Sequence, residues 1–467
     1  MNKTFAFTSL LLAFFISILN TTNINIVLPI MIDVFQTDLK TVTWVLNAYT
    51  IAFAVFLLTA AKLADQFGRK RAFMIGVLVF TITSLLLGFS QSIKIFIVLR
   101  IVQGLSAAII VPVVAPLMLA LVTKDKVPLV TGVMGGLGAL AAAIGPLLGG
   151  VLTEKLDWQW VFYINIPFGI IIIILGYLGI KESFDSTVSK RIDYLGVLTL
   201  SISIFSLVFA FVQVNDLGWG SPYIIGLVLI CMISLLFFIF LEKHVREPML
   251  PLWLFKNIKF SSCNVTMLFV AIGMMSTMVV FPLFLQQVIG RNPMDSGFFL
   301  AIYAFGSMAA SILSAPLTKK IQTRTLIITG LLLSTLGTYL LTYLTLQSPT
   351  WDYIWRLLVN GAGLGMILAP LTTKIILEVP TEKVTIANGV SNVARNIGTA
   401  LGVAIMSAVM NFMFNGLNLH DMTNMTSAYH DTFKFSCLFF LLAAFSALGI
   451  GRGKFIEEQN KKAKGES

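Results

Sequence analysis

The chain has 467 residues, of which 57% are apolar and only 11% charged. A water-soluble domain carries about 45–50% apolar and about 25% charged residues, so a large soluble enzyme is excluded. The net charge of +11 suggests nucleic acid at first sight, but the basic residues sit in short turns between long apolar segments. That is where a topology bias puts them, and no nucleic-acid partner is expected.

The apolar segments lack strict alternation and are far too long for membrane barrel strands. Helices are the expected spanning element, because a helix satisfies its own backbone hydrogen bonds in lipid. Fourteen segments are long enough to cross a bilayer. In chain order the first seven lie at 5–31, 43–63, 72–90, 95–121, 129–152, 160–180 and 193–213. The second seven lie at 222–241, 262–288, 297–317, 325–346, 353–376, 386–411 and 432–450. With the N-terminus in the cytoplasm, 24 Lys and Arg fall on the cytoplasmic side and five (Lys40, Lys94, Lys155, Arg291, Lys434) opposite. Arg100, Arg356 and Arg395 lie inside spans. This bias predicts an even number of spans with both termini cytoplasmic.

The first span is polar along one face, with Asn20, Thr22, Asn23 and Asn25 before Pro29, and Asp33 at its outer end. Such amides either bond to neighbouring helices or line a cavity. The second span closes on Asp65. The fourth carries Arg100 followed by Gln103-Gly104; an intramembrane arginine is costly and faces either a protein interior or a wet cavity. The fifth holds Gly132, Gly135, Gly136 and Gly138, then Gly145-Pro146-Leu147-Leu148-Gly149-Gly150. Small residues let helices approach closely and Pro146 frees a carbonyl, which suits either static packing or a bending helix. The sixth opens with Asn165-Ile166-Pro167.

The twelfth span pairs Arg356, which reads as cavity-lining or as snorkelling to the interface, with Asn360, Gly361, Gly363, Gly365 and Pro370. Similar broken helices in both halves are what a transporter built from internal repeats shows. No Asp or Glu falls near the middle of any span; Asp33, Asp65, Asp193, Asp352 and Glu378 sit at edges. Cys231, Cys263, Cys437 and the three histidines are too scattered for a metal centre. No phosphate-binding GxxxxGK[ST] motif is present and no loop is large enough for a nucleotide-binding domain, so no cofactor is expected and any pumping draws on an ion gradient or on partner subunits.

Several of these runs carry a family likeness. Ala61-Lys62-Leu63-Ala64-Asp65-Gln66-Phe67-Gly68-Arg69-Lys70-Arg71 resembles the G-x-L-a-D-r-x-G-r-k loop between helices two and three of major facilitator transporters. Arg100-Ile101-Val102-Gln103-Gly104 resembles their R-x-x-Q-G segment, and Gly145 to Gly150 the G-P-x-x-G-G motif of drug:proton antiporters. Trp158 to Gly169 is similar to the start of helix six in the fourteen-helix branch, and Gly389 to Gly402 to its thirteenth helix. The stretch Leu19 to Pro29 departs from that branch by having Asn20 where an acid is common, and Ala61 stands for the first loop glycine.

The resemblance implies an all-α polytopic membrane protein of the major facilitator fold, with fourteen transmembrane helices arranged 6+2+6. It divides the chain into a bundle at 1–181, linkers and an inserted hairpin at 182–261, a second bundle at 262–451 and a basic tail at 452–467. It implies a cytoplasmic gate of Asp65, Gly68 and Arg69 closing against the second bundle, and a bending motif of Gly145, Pro146, Gly149 and Gly150. Asp33 and Arg100 are the candidates for proton coupling. Asn20, Thr22, Asn23, Asn25, Gln103, Asn165, Arg356 and Asn360 are the candidates for a substrate cavity. The expected activity is proton-coupled efflux of hydrophobic or amphipathic compounds by alternating access, from a monomer in the lipid of a bacterial cytoplasmic membrane. A facilitator or importer of a small metabolite, or an exporter of lipid-like envelope amphiphiles, are the alternatives on the same fold.

Overall fold

The computed structural model describes residues 2–37, 39–123, 126–184, 193–245, 248, 250–318, 320–380, 383–414 and 422–451; the expected tail at 452–467 lies outside them. Among the described residues every regular element is helical. Thirteen helical stretches among the described residues are long and apolar enough to cross a bilayer. That is one short of the fourteen expected. The segment expected at 432–450 belongs to helix Met422–Ala447, whose apolar part is diluted by His430, Asp431 and Lys434.

The first span is not one helix. α1 (Lys3–Thr22) ends in a 3-10 turn at Asn23–Ile26, followed by a short α2 (Leu28–Val34). Thr21 and Thr22 turn their hydroxyls onto the carbonyls of Ile18 and Leu19, at 2.6 and 3.1 Å. Such bonds compete with the helical ladder. Pro29, with no N–H, removes the next helical bond. α3 (Leu39–Phe67) stops at Gly68, whose φ of 113° is closed to residues with a side chain, and α4 (Arg69–Phe89) starts at once.

There follow α5 (Ile93–Leu119), α6 (Val127–Lys155), α7 (Trp160–Tyr163), α8 (Asn165–Gly179), α9 (Tyr194–Leu217) and α10 (Pro222–His244). The ninth span is α11 (Ile258–Met275), a π turn at Ser276–Val280 and α12 (Phe281–Gln287). Pro282 cannot donate to the Met278 carbonyl, and the helix widens by one residue just before it. The remainder are α13 (Pro293–Leu317), α14 (Thr323–Leu340), α15 (Thr350–Leu377), α16 (Val384–Phe414) and α17 (Met422–Ala447).

The contacts group these helices into two units. Unit 1 holds Met1–Thr123, Ile144–Trp253 and Pro380–Val393; unit 2 holds Lys124–Ala143, Leu254–Val379 and Ala394–Ser467. The α9–α10 hairpin belongs with unit 1, where α9 packs on α3, and α6 and α16 are each divided between the units.

Within unit 1, α1 and α8 run antiparallel with Gly179 against Ala6 and Gly176 against Ser9, whose hydroxyl donates to the Ile172 carbonyl at 2.9 Å. Phe35, Phe96, Trp158 and Phe162 close one end of this unit with ring centroids 5.3–6.4 Å apart. Within unit 2, α13, α14 and α15 meet through Gly330, Gly361, Gly363 and Gly365, each set against a neighbouring backbone. Without a water-driven hydrophobic effect between helices, this close backbone approach is the main source of attraction.

Candidate functional site

Arg100 lies wholly buried on α5. Its Nε donates to the Val45 carbonyl at 3.0 Å and its Nη1 to Gln103 Oε1, one turn on, at 2.6 Å. The guanidinium carbon stands 4.4 Å over the Tyr49 ring. Gln103 hands the chain on: its Nε2 donates to Ser84 Oγ at 2.8 Å, and Asn165 Nδ2 donates to the same oxygen at 3.3 Å. Four helices, α3, α4, α5 and α8, are thereby joined around one charge. No carboxylate pairs with Arg100 among the described residues. Neutral dipoles and a ring face hold it, which is how a cation is retained at membrane depth when no acid is at hand.

Of the residues expected in a cavity, Gln103 and Asn165 are fully buried in this network, and Asn20 and Asn23 are fully buried as well. Asn23 Nδ2 donates to the Val161 carbonyl at 3.3 Å. Asn25 lies in the 3-10 turn, its side chain outside the described part.

The bending motif lies on the break in the first span. Gly145 is set against Thr22 and the Asn23 amide, and a Cβ on Gly149 would stand 2.7 Å from the Asn23 carbonyl oxygen. The two glycines are four residues apart, so both present one face of α6 to the 3-10 turn. Gly150 faces nothing within 4 Å, and Pro146 between them is half-buried.

At the loop between α3 and α4, Asp65 is fully buried and accepts from Arg69 Nε at 2.7 Å. A third group, absent from the sequence expectation, completes this corner. Glu182, just past α8, accepts from the backbone N–H groups of Lys70 at 2.9 Å, Arg71 at 3.2 Å and Ser183 at 3.0 Å. The Arg69 N–H donates to the Ser183 carbonyl at 2.8 Å. A carboxylate on a helix N-terminus satisfies orphan donors and meets the positive end of the dipole. The Glu182 carboxyl occupies the space a Cβ on Gly68 would need, at 2.7 Å, so Gly68 is required twice over.

Glu182→Ala is expected to destabilise the protein by about 1 kcal/mol, as loss of a helix cap does, measured by thermal unfolding in detergent. An unchanged midpoint would remove Glu182 from the account.

The start of α16 also packs here in unit 1. Asn388 Nδ2 donates at 3.3 Å to the Pro112 carbonyl, which Pro116 four residues on leaves without its helical donor. A Cβ on Gly389 would stand 3.1 Å from Leu58. In unit 2 the first half of α6 packs on α13 and α15: Ser311 Oγ donates to the Gly132 carbonyl at 3.0 Å, and the Thr131 and Thr373 hydroxyls are 2.5 Å apart. Asp33 is exposed at the end of α2.

Unit 2 repeats the device of unit 1. Gly104, after Gln103, rests on the Tyr49 carbonyl; Gly361, after Asn360, rests on the Tyr303 carbonyl. Gln103 donates to a hydroxyl of α4; Asn360 Nδ2 donates to Thr338 of α14 at 3.2 Å and to Thr277 in the π turn at 3.0 Å. Arg356 lies five residues before Gly361, where Arg100 lies four before Gly104, and it differs in its partners. Its Nη2 donates to Asp352 Oδ2 at 3.2 Å and its carbon lies 5.3 Å from the Trp355 ring, while its other nitrogens are buried. It does not reach out to solvent as a snorkelling arginine does.

The end of α15 carries a pair that sequence reading only half found. Lys374, almost wholly buried, lies 3.0 Å from Glu378 Oε1, and Asn257 Nδ2 donates to Glu378 Oε2 at 3.1 Å. Burial alone would push the Glu378 carboxyl up, but the Lys374 ammonium, Asn257 and Lys259 together hold it below the ordinary carboxylate value. A depressed pKa contributes stability that is present above the unfolded value of 4.5 and lost as pH falls through the folded one. The thermal midpoint of Glu378→Gln is therefore expected below wild type at neutral pH, and the gap should close on acidification below 4.5. A gap independent of pH would show that the carboxylate charge is not what stabilises this end.

The profile of the Major Facilitator Superfamily matches residues 10–403. The chain belongs to the major facilitator superfamily. Its relatives within this superfamily include the multidrug transporter protein MdtP of Bacillus subtilis, 31% identical over 371 residues that cover 79% of this chain and 68% of that protein. The tetracenomycin C resistance and export protein of Streptomyces glaucescens is 28% identical over 80% of this chain and 69% of its own. The multidrug resistance protein Stp of Mycobacterium tuberculosis is 29% identical over 81% and 70%. Among solved structures, the human organic anion transporter MFSD10 superposes over 96% of this chain and all of its own with a TM-score of 0.67 at 12% identity. The proton:xylose symporter XylE does so over 98% and 99% with a TM-score of 0.62, also at 12% identity. At that identity the likeness speaks for the major facilitator fold. The molecule is thus a multi-pass membrane transporter of the major facilitator type.

Proposed function

We propose that this transporter exports hydrophobic or amphipathic compounds across a bacterial cytoplasmic membrane in exchange for protons, by alternating access. Both termini lie in the cytoplasm on this reading, as the Lys and Arg bias requires. The observation that carries it is the seating of Gly145 and Gly149 on the break between α1 and its 3-10 turn. Two helices, each with a weakened hydrogen-bond ladder, meet there with only the Thr22 side chain on Gly145 and bare Asn23 backbone on Gly149, so little side-chain packing resists bending of one against the other. The relatives named for multidrug resistance and antibiotic export support the direction and the substrate class.

In the proposed cycle the ends that the charge bias places inside open first. Substrate enters there. Closing them and opening the other side releases the substrate. Only a group whose protonation has different energies in the two states drives such a cycle. Asp33, exposed at the end of α2, and Arg100, enclosed in neutral dipoles, are the proposed coupling pair, with the transmembrane proton gradient as the only energy source.

The test is transport by purified protein in sealed proteoliposomes under an imposed pH gradient, with cationic, neutral and anionic dyes and Asp33→Asn alongside wild type. Movement that follows the gradient and is lost in the variant is the expected result. Movement indifferent to the gradient overturns proton coupling and favours a facilitator.

A further inference from the structure

The network that begins at Arg100 ends on paper at Asn165, but the polar atoms around it do not. Asn165 Oδ1, Asn23 Oδ1 and both amide atoms of Asn20 are buried with no hydrogen-bond partner among the described residues, and all three side chains are fully buried. Three of these four atoms are acceptors and one is a donor. They stand on α1, on the 3-10 turn that follows it and on α8, and α1 and α8 pair in a fixed antiparallel register. Gly179 lies against Ala6, Gly176 against Ser9, and Asn23 Nδ2 bonds to the Val161 carbonyl. That progression places Asn20 level with Asn165.

Buried amide atoms without partners at membrane depth are costly, and here they are the whole Asn20 amide and the oxygens of Asn23 and Asn165, whose nitrogens are bonded. We infer that they hold a buried water, shared between α1 and α8, which carries the Arg100 network across to the break in the first span. A water donates twice and accepts twice. It accepts from Asn20 Nδ2 and donates to two of the three amide oxygens, which gives it the two to four polar partners that retain a water in a protein interior.

A metal cation suits the site less well. The amide N–H of Asn20 points the wrong charge at it, no carboxylate joins the set, and Arg100 is already wired to Asn165 through Gln103 and Ser84. An anion is repelled by the three oxygens. With the water in place, the hydrogen-bonded path runs from the Val45 carbonyl through Arg100, Gln103, Ser84 and Asn165 to Asn20. It ends one turn before Thr22 and Asn23, on which Gly145 and Gly149 rest. Asn20 and Asn165 are thus positioning residues that tie the arginine to the bending motif.

The experiment is thermal unfolding of the purified full-length protein in detergent for Asn20→Leu, Asn165→Leu and the double variant. It needs no transport, so its outcome is separate from the export reading. If a water bridges the amides, Asn20→Leu lowers the midpoint, and the double variant lowers it by less than the two single shifts combined, because either change already loosens the same water. If the site is dry, leucine removes an unpartnered amide, and an equal or higher midpoint overturns the inference; so do strictly additive shifts. Should a variant fail to fold, high-resolution density of the wild-type protein decides. A solvent peak within hydrogen-bond distance of both Asn20 and Asn165 supports the water, and amides packed directly on one another refute it.

Discussion

Gly149→Ala is expected to cut transport by about 5- to 150-fold, the range that corresponds to about 1–3 kcal/mol of overpacking, while Gly150→Ala next to it leaves transport unchanged. The difference lies in what each Cβ meets. At Gly149 it would stand 2.7 Å from the Asn23 carbonyl oxygen, a backbone atom that has no rotamer to escape into; at Gly150 nothing lies within 4 Å. α6 and the first span must therefore part at the point where both are weakest, and a hinge held apart no longer closes. Dye efflux from proteoliposomes containing each variant at equal protein content makes the comparison. Equal loss in both variants would mean that the pair acts through helix flexibility alone and not through its contact with Asn23.

Gln103→Leu should be the most damaging single change in unit 1 for stability, with a loss of about 3 kcal/mol, because removing one partner of a buried charge strands the other. Leucine cannot accept from Arg100 Nη1, which now has Gln103 Oε1 at 2.6 Å, and the hydroxyl of Ser84 loses its 2.8 Å donor. Gln103→Glu separates fold from function. It keeps an acceptor for the guanidinium and gives it a full charge to pair with, so the protein should stay folded. An ion pair at this position holds Arg100 far more firmly than an amide does. Transport should then lose much of its dependence on the pH gradient while the unfolding midpoint remains close to that of wild type. A Gln103→Leu protein as stable as wild type would mean that Arg100 finds another partner, and the network would lose its central role.

Much of the helical framework was legible from hydropathy, because a backbone in lipid has few ways to satisfy its own hydrogen bonds. The errors fall where polar residues and proline interrupt that rule. The stretch 5–31 reads as one span, yet Thr21, Thr22 and Pro29 break it into α1, a 3-10 turn and α2. The last expected span, 432–450, does lie mostly in a helix, Met422–Ala447, but that helix also carries His430, Asp431 and Lys434 and is not among the thirteen stretches apolar enough to count. The π turn before Pro282 left no mark in composition. The i, i+4 spacing of Lys374 and Glu378 was there to be seen; the contribution of Asn257, 121 residues away, was not.

What the sequence determined by itself is the class: a charge-poor, glycine-marked chain of spanning helices whose Asp65, Arg100 and Gly145–Gly150 motifs belong to major facilitator transporters. Those properties are local, set by composition and by spacings within a few turns. Only the tertiary structure decided which partner each polar residue takes. Gln103 and Asn165, equally able to line a cavity or brace a helix, are committed to Ser84 in the interior of unit 1. Gly149 and Gly150, identical in sequence terms, differ because one faces Asn23 and the other faces open space. Glu182 gains its place on the N-terminus of α4 across more than a hundred residues. A hydrogen bond is decided within about 3 Å, and along this chain such partners are brought together only by the packing of helices far apart in sequence.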